Sequence, residues 1–251
     1  MLIKAKSLKG YKLNSLDGEI GKVKEFYFDD NYWTIRYLIV ETGNWLLSRQ
    51  VLISPHALMS VNQEEKYISV NLTKKQIEES PPLNSDLPVS RQYEESYYGY
   101  YGYPLYWAGA YMWGPYPYIV RDNENIVEPD KKDELWNSHL RSTYDVGDYT
   151  IQATDGEIGH IDDFIIDDEL WVIRYLIIDT NKWWKGKKVL IPPKWIKEIS
   201  WLDGKILVNL TIEAIKQSPE YTDEALITRD FEKDMYKHYK LDGYWIDENK
   251  H

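Results

Sequence analysis

Asp17-Gly18-Glu19-Ile20-Gly21, followed by Trp33 and Ile35-Arg36-Tyr37-Leu38-Ile39, returns as Asp155-Gly156-Glu157-Ile158-Gly159, Trp171 and Ile173-Arg174-Tyr175-Leu176-Ile177. The offset is 138 residues throughout, and it also relates Thr42 to Thr180, Trp45 to Trp183, Arg91 to Arg229 and Trp107 to Trp245. A duplicated stretch of this length is a whole domain rather than a solenoid unit. The chain therefore reads as two homologous domains with connecting segments.

Within each copy the pattern is mainly β. Trp33, Ile35, Tyr37 and Ile39 alternate with Thr34, Arg36, Leu38 and Val40, and the first row recurs unchanged, which marks it as the expected core face. The other row keeps Leu and Val, so part of it should be covered too. Val51-Leu52-Ile53 and Ile68, Val70 and Leu72 read as further short strands, with counterparts at Val189-Leu190-Ile191 and at Ile206, Val208 and Leu210. Asp17-Gly18 and Asp155-Gly156 are hairpin-turn dipeptides. Gly21 and Gly159 mark a bulge or sharp bend, and the broken alternation between Val23 and Phe28 fits a curling strand. Short, bent strands separated by turns predict a small barrel.

A helix is expected after the last strand of each copy. Thr73 and Gln76 have capping-box spacing with Leu72 and Ile77 as a hydrophobic staple, and Ser80-Pro81 closes the element. The second copy has Thr211 but Ala214, so its box is incomplete. An arm follows: Val89-Ser90-Arg91-Gln92-Tyr93-Glu94 matches Ile227-Thr228-Arg229-Asp230-Phe231-Glu232, with Ser90 and Thr228 as N-caps of a second helix. Each arm ends in an aromatic pair, Tyr106-Trp107 and Tyr244-Trp245. From Ser96 to Val120 the first copy has no charged residue and is dense in Tyr, Trp, Gly and Pro, and Arg121 to Asp133 then reads as a polar linker.

The order of these elements resembles the PRC-barrel family: Asp-Gly-Glu-Ile-Gly, a Phe-x-x-Asp-Asp strand end, Trp-x-Ile-Arg-Tyr-Leu-Ile, then Val-Leu-Ile-x-Pro. That family is named for the cytoplasmic domain of the photosynthetic reaction centre H subunit and includes the C-terminal domain of the ribosome maturation factor RimM. The resemblance covers most of each barrel, and the arm motif Pro-Val-Ser-Arg-x-Tyr-Glu is similar to that of tandem bacterial members. It implies a β-barrel adaptor fold whose members mostly bind other proteins. Neither a transmembrane anchor like that of the H subunit nor a separate N-terminal domain like that of RimM is expected from these residues, so neither specific role is carried over.

Composition narrows the function classes. A net charge of −11 over 251 residues, without a dense basic run, argues against nucleic acid as partner. With no cysteine there is no disulfide framework, thiolate metal site or thiol nucleophile, which suits a cytoplasmic protein. The N-terminus lacks a signal-peptide core. The longest apolar candidate, Leu105 to Trp113, is far short of the ~18 residues a spanning helix needs.

A duplicated site should leave duplicated chemistry. Histidine fails that test: His56 corresponds to Lys194, His160 to Lys22, His139 to Met1 and His238 to Tyr100. Catalytic, cofactor and metal residues are accordingly expected to be none. Asp29-Asp30 and Asp167-Asp168 do recur, and read as polar hairpin turns rather than a Ca²⁺ or Mg²⁺ shell, which needs six or more oxygens. Arg36 and Arg174, mid-strand among apolar neighbours, are expected to pair with carboxylates. Arg91 with Glu94, and Arg229 with Glu232, lie three apart on a helix. That pairing contributes only ~0.2–0.5 kcal/mol, too little to explain its recurrence, so docking of the arm on a barrel is the alternative.

The candidate interaction surface is the aromatic arm: Arg91, Glu94, Tyr97, Tyr98, Tyr100, Tyr101, Tyr103, Tyr106, Trp107, Arg229, Glu232, Tyr244 and Trp245. So many rings must find cover on the chain's own barrels, a second subunit, another protein or a membrane surface. The expected organisation is a first barrel over 1–82, arm and Tyr-rich linker over 83–138, a second barrel over 139–220 and a C-terminal arm over 221–251, each arm crossing to the other half. The expected function is a non-catalytic protein-binding or assembly module, with a protein partner or homo-oligomer. A peripheral membrane protein of reaction-centre type and a divalent-metal-binding protein are the second and third readings.

Overall fold

One long, bent strand organises each copy. The structure, a computed structural model, describes residues 1–83, 89–107, 139–180, 187–223 and 226–248. In the first copy β1 (Leu2–Lys4) and a single helical turn, α1 (Ala5–Leu8), lead into β2 (Lys12–Ser15) and β3 (Gly18–Asp29). Then come β4 (Ile35–Thr42), β5 (Gln50–Ile53), β6 (Leu58–Asn62), β7 (Tyr67–Val70), the short helix α2 (Lys74–Glu78) and the arm helix α3 (Arg91–Tyr101). The strand order is β5-β4-β3-β2-β7-β6, with β2 parallel to β7 and the other neighbours antiparallel. β8 (Leu140–Ser142) adds to this sheet on β3, pairing Tyr27 with Ser142 and Asp29 with Leu140.

The second copy repeats the plan. It runs through α4 (Thr143–Val146), β9 (Thr150–Ala153), β10 (Gly156–Asp167), β11 (Val172–Asp179), β12 (Lys188–Ile191), β13 (Ile196–Ser200) and β14 (Lys205–Val208). The helices α5 (Ile212–Lys216), α6 (Arg229–His238) and α7 (Tyr244–Glu248) complete it. Its strand order is β12-β11-β10-β9-β14-β13. The chain divides into two compact units, one of residues 1, 3–144 and 168–172, the other of residues 2, 145–167 and 173–251.

The bend in β3 has local causes. Its register shifts opposite β2 between Leu13 and Asn14, and opposite β4 between Val23 and Glu25 and again between Tyr27 and Phe28. At Gly21 a Cβ would stand 2.1 Å from the Glu41 carbonyl oxygen, and at Gly159 2.1 Å from that of Asp179. No side chain fits between two strands this close, so the Gly at each bend is a steric requirement. The turn aspartates also bind the following helix: Lys74 N–H donates to Asp17 Oδ1 and Ile212 N–H to Asp155 Oδ1, each at 2.8 Å.

Helix α2 has the expected box, with Gln76 N–H donating to Thr73 Oγ1 and Thr73 N–H to Gln76 Oε1, whereas α5 has only the Thr211 half. Both helices end under a cation that the sequence reading overlooked. Arg49 donates to the carbonyls of Glu78 and Ser80, and Lys187 to those of Lys216 and Ser218. These are equivalent carbonyls, capped by different residues.

The row Trp33, Ile35, Tyr37 and Ile39 is fully buried, but so is the opposite row of Thr34, Arg36, Leu38 and Val40. The second row was expected to be covered only in part, and the structure covers all of it. Tyr37 and Ile39 do not merely line a barrel interior; they cluster with Leu52, Val89, Tyr97, Tyr98 and Tyr106 under the arm. β4 therefore separates two packed layers, which explains why its sequence is apolar on both faces.

Candidate functional site

Ser90 starts α3 by accepting the Tyr93 N–H, and Thr228 starts α6 by accepting that of Phe231. From that start Arg91 and Glu94 fall on one face, as do Tyr97, Tyr98 and Tyr101 around the next turn. Glu94 is fully buried. Its Oε1 accepts from the Tyr37 hydroxyl at 3.1 Å and the Tyr106 hydroxyl at 2.8 Å, while its Oε2 meets Arg91 Nη1 at 3.2 Å. The Arg91 guanidinium lies 4.1 Å from the centre of the Trp107 ring. From below, Arg36, held by Asp29 at 2.6 Å, places its guanidinium 4.0 Å from the centre of Tyr106. Barrel, helix and the segment after the helix are thus tied through one carboxylate.

The second copy builds the same clasp. Glu232 Oε1 accepts from Tyr175 at 2.6 Å and Tyr244 at 3.0 Å, Arg229 meets Glu232 at 3.0 Å, and Arg229 covers Trp245 at 4.4 Å. Arg174, paired with Asp167 at 3.0 Å, lies 4.1 Å from the centre of Tyr244. Asp29, Arg36, Tyr37, Arg91, Glu94, Tyr106 and Trp107 all keep their identity across the repeat. Docking, rather than a surface ion pair, explains why Arg91 and Glu94 recur.

These positions revise the candidate surface. Glu94, Tyr97, Tyr98, Tyr106 and Glu232 are buried inside the clasps and face no outside partner while the arms are docked. Trp107, Tyr101, Tyr103, Tyr244 and Trp245 are half-buried, and Tyr100 and Arg229 reach the surface. Each arm packs on its own barrel, not on the other half as expected from the sequence. The rest of the Tyr-rich stretch, residues 108–120, the linker and Trp183 lie outside the described residues.

Burial dominates the electrostatics here. It pushes the Glu94 carboxyl up to about 7, with Arg91 the main opposing influence, and it drives the Tyr37, Tyr97 and Tyr106 phenols well above their ordinary value. His56, stacked on Tyr103 at 5.1 Å, is held down at about 4 by burial and then by Arg36, so it is neutral at physiological pH. A cleft of about 390 Å³ opens beside it, lined in part by Ala57, Gln76, Tyr100, Tyr101 and Tyr103.

The acidic pairs are engaged in ion pairs. Asp29 holds Arg36, and Asp30 holds Arg141 at 2.8 Å and His139 at 3.1 Å; Asp167 holds Arg174, and Asp168 meets the Met1 amino group. Among the described residues no group of three or more His, Asp or Glu could hold a metal ion. Among them, too, no helix is long and apolar enough to cross a membrane.

Some equivalences use unlike residues. Tyr100 donates to the Gln76 carbonyl at 2.9 Å, and His238 reaches the matching Ala214 carbonyl at 2.8 Å. Ser54 N–H donates to the Tyr97 hydroxyl, which donates in turn to the Leu52 carbonyl, both at 3.0 Å. At the matching positions the second copy has Pro192, without an N–H, and Met235, without a hydroxyl. Tyr97→Phe should therefore cost about 1–3 kcal/mol by orphaning the Ser54 N–H, and adding Ser54→Pro should recover part of the loss. A double-mutant cycle in urea measures it.

A small β-sheet barrel with a clasped aromatic arm, built twice in one chain, is the class that this fold and site define. The model of the PRC-barrel domain matches residues 2–77 and 142–215, more than half of the chain, and the chain belongs to that family. No curated protein matches it. Asp29, Arg36 and Tyr37 fall inside the matched segments, and Arg91, Glu94, Tyr106 and Trp107 outside them.

Proposed function

We propose that this chain is a non-catalytic assembly module that binds another protein through its barrels and aromatic arms. The observation that carries the reading is how β8 sits. More than a hundred residues beyond β3 in sequence, it adds to that strand by main-chain pairing, reinforced by Arg141 on Asp30 and Ser142 Oγ on Glu25. Strand addition with side-chain reinforcement is a common mode of peptide recognition, and this barrel already performs it on its own chain. The duplicated polar residues hold the arms on the barrels, as befits a scaffold.

Affinity capture from the native cell tests this, comparing the intact chain with one lacking residues 108–118. That deletion spares Arg91, Glu94, Tyr106 and Trp107 of the clasp. Loss of specific partners assigns the contact to the Tyr-rich stretch, and their retention assigns it to the barrels. A monomeric chain that captures no specific protein in either form would overturn the reading.

A further inference from the structure

We propose that the first arm is a pH-sensitive clasp, whose docking onto the first barrel weakens when Glu94 loses its proton. This goes beyond a binding role, because it gives the scaffold an internal control. The geometry is unusual for an acid. Glu94 is fully buried, and two of its three partners are the phenols of Tyr37 and Tyr106. A phenol both donates and accepts, so by turning its hydrogen it serves the protonated acid as well as the carboxylate. Arg91, whose side chain is 17% exposed, favours the charged form by a direct ion pair, and the phenols favour it too while they donate; what opposes all three is the complete removal of the carboxyl from water. In the second clasp the corresponding Arg229 is 46% exposed, so the same constellation there is wetter.

The groups facing Glu94 are Arg91 and Tyr98 from α3, Tyr37 and Arg36 from β4, and Tyr106 beyond the helix, with Asp29 of β3 neutralising Arg36 from behind. Both arginines and both phenol hydrogen bonds pull the acid toward ionisation. Burial outweighs them and leaves the carboxyl at about 7, against an ordinary value of 4.5.

The sign follows from linkage. A group with a raised folded-state value holds its proton more tightly when docked, so its contribution is fully present below about 4.5 and is lost as pH rises through about 7. Between pH 4.5 and pH 8 the opening equilibrium of the arm is expected to rise on the order of a hundredfold. Opening uncovers Tyr37, Ile39 and Leu52, an aromatic and aliphatic face on the barrel.

Hydrogen exchange of the 91–101 amides in the full chain, corrected for intrinsic rates, reads that equilibrium directly. Wild type should show the rise, and Glu94→Gln, neutral at every pH, should be flat. A flat wild type, or a rise that survives in Glu94→Gln, would overturn the proposal. If that variant does not fold, the side-chain carboxyl carbon resonance of Glu94 decides in the wild type: a midpoint near 7 supports the clasp and one below 5 refutes it. The readout is the arm's opening, not partner capture, so it stands or falls apart from the assembly role.

Discussion

Asp29→Ala is expected to destabilise the first unit by about 3–5 kcal/mol, because it leaves the Arg36 guanidinium buried without its counter-ion. The pair is short at 2.6 Å, and both side chains are almost wholly removed from water, at 1% and 3% exposure. Asp29 also accepts the Tyr32 N–H at 2.6 Å, so the turn after β3 loses an anchor too. Replacing both partners, Asp29→Ala with Arg36→Met, should recover much of the loss, since an apolar pair needs no counter-charge. The matched Asp167→Ala should cost less, because Asp167 is 15% exposed and water can replace part of what is lost. Urea unfolding followed by exchange of the β3 and β4 amides separates the first unit from the second. Equal effects at Asp29 and Asp167 would show that burial does not set the cost.

Arg36 also connects this pair to the clasp through the ring of Tyr106. Losing Asp29 frees the guanidinium to seek another carboxylate, and Glu94 is a buried one to which it is electrostatically coupled. The variant should therefore loosen the arm as well as the sheet. Exchange of the 91–101 amides would rise alongside that of β3.

Much of this architecture was legible because β-structure and turns write themselves into local pattern. Asp17-Gly18, the broken alternation before Phe28 and the Thr73–Gln76 spacing each have one cheap physical solution, and the structure adopts it. The role of Arg91 and Glu94 was half legible. Their recurrence showed that a helical ion pair was too weak an explanation, but nothing in the sequence said that Tyr37, more than fifty residues earlier, would supply the other hydrogen bond. Partial cover of the second face of β4 was legible from Leu38 and Val40, but not that Thr34 and Arg36 would be buried with them, because polar residues in a strand read as solvent-facing.

Comparing identities across the repeat also discarded real equivalences. A carbonyl at a helix end asks only for a donor, so Arg49 and Lys187, or Tyr100 and His238, are interchangeable there. A packed ring asks only for volume. Where the first copy sets Tyr103 from the arm against Tyr98 and Tyr101, the second sets Trp195 from the barrel against Tyr236 and Tyr239. Accordingly Ala57 stands in the first copy at the place of Trp195, and Leu241 in the second at the place of Tyr103. Such exchanges are visible only once the contacts are known.

Tyr98→Ala should release the first arm from its barrel. The side chain is fully buried, and its ring touches Tyr37, Tyr97, Tyr103, Tyr106 and Trp107. Truncating a buried aromatic costs about 3–5 kcal/mol through lost transfer energy and the cavity that remains. Most of these contacts lie between the arm and β4 or within the arm, so the loss should fall on docking more than on the sheet. The expected result is rapid proteolytic cleavage between residues 89 and 107, while the β3 and β4 amides keep most of their protection. Tyr236→Ala in the second copy removes contacts with Trp195 and Trp245 and should free the C-terminal arm in the same way. If Tyr98→Ala instead unfolded β3 and β4 together with the arm, the aromatic layer would be an inseparable part of the barrel core, and an arm that opens by itself, as the Glu94 clasp requires, would have no structural basis.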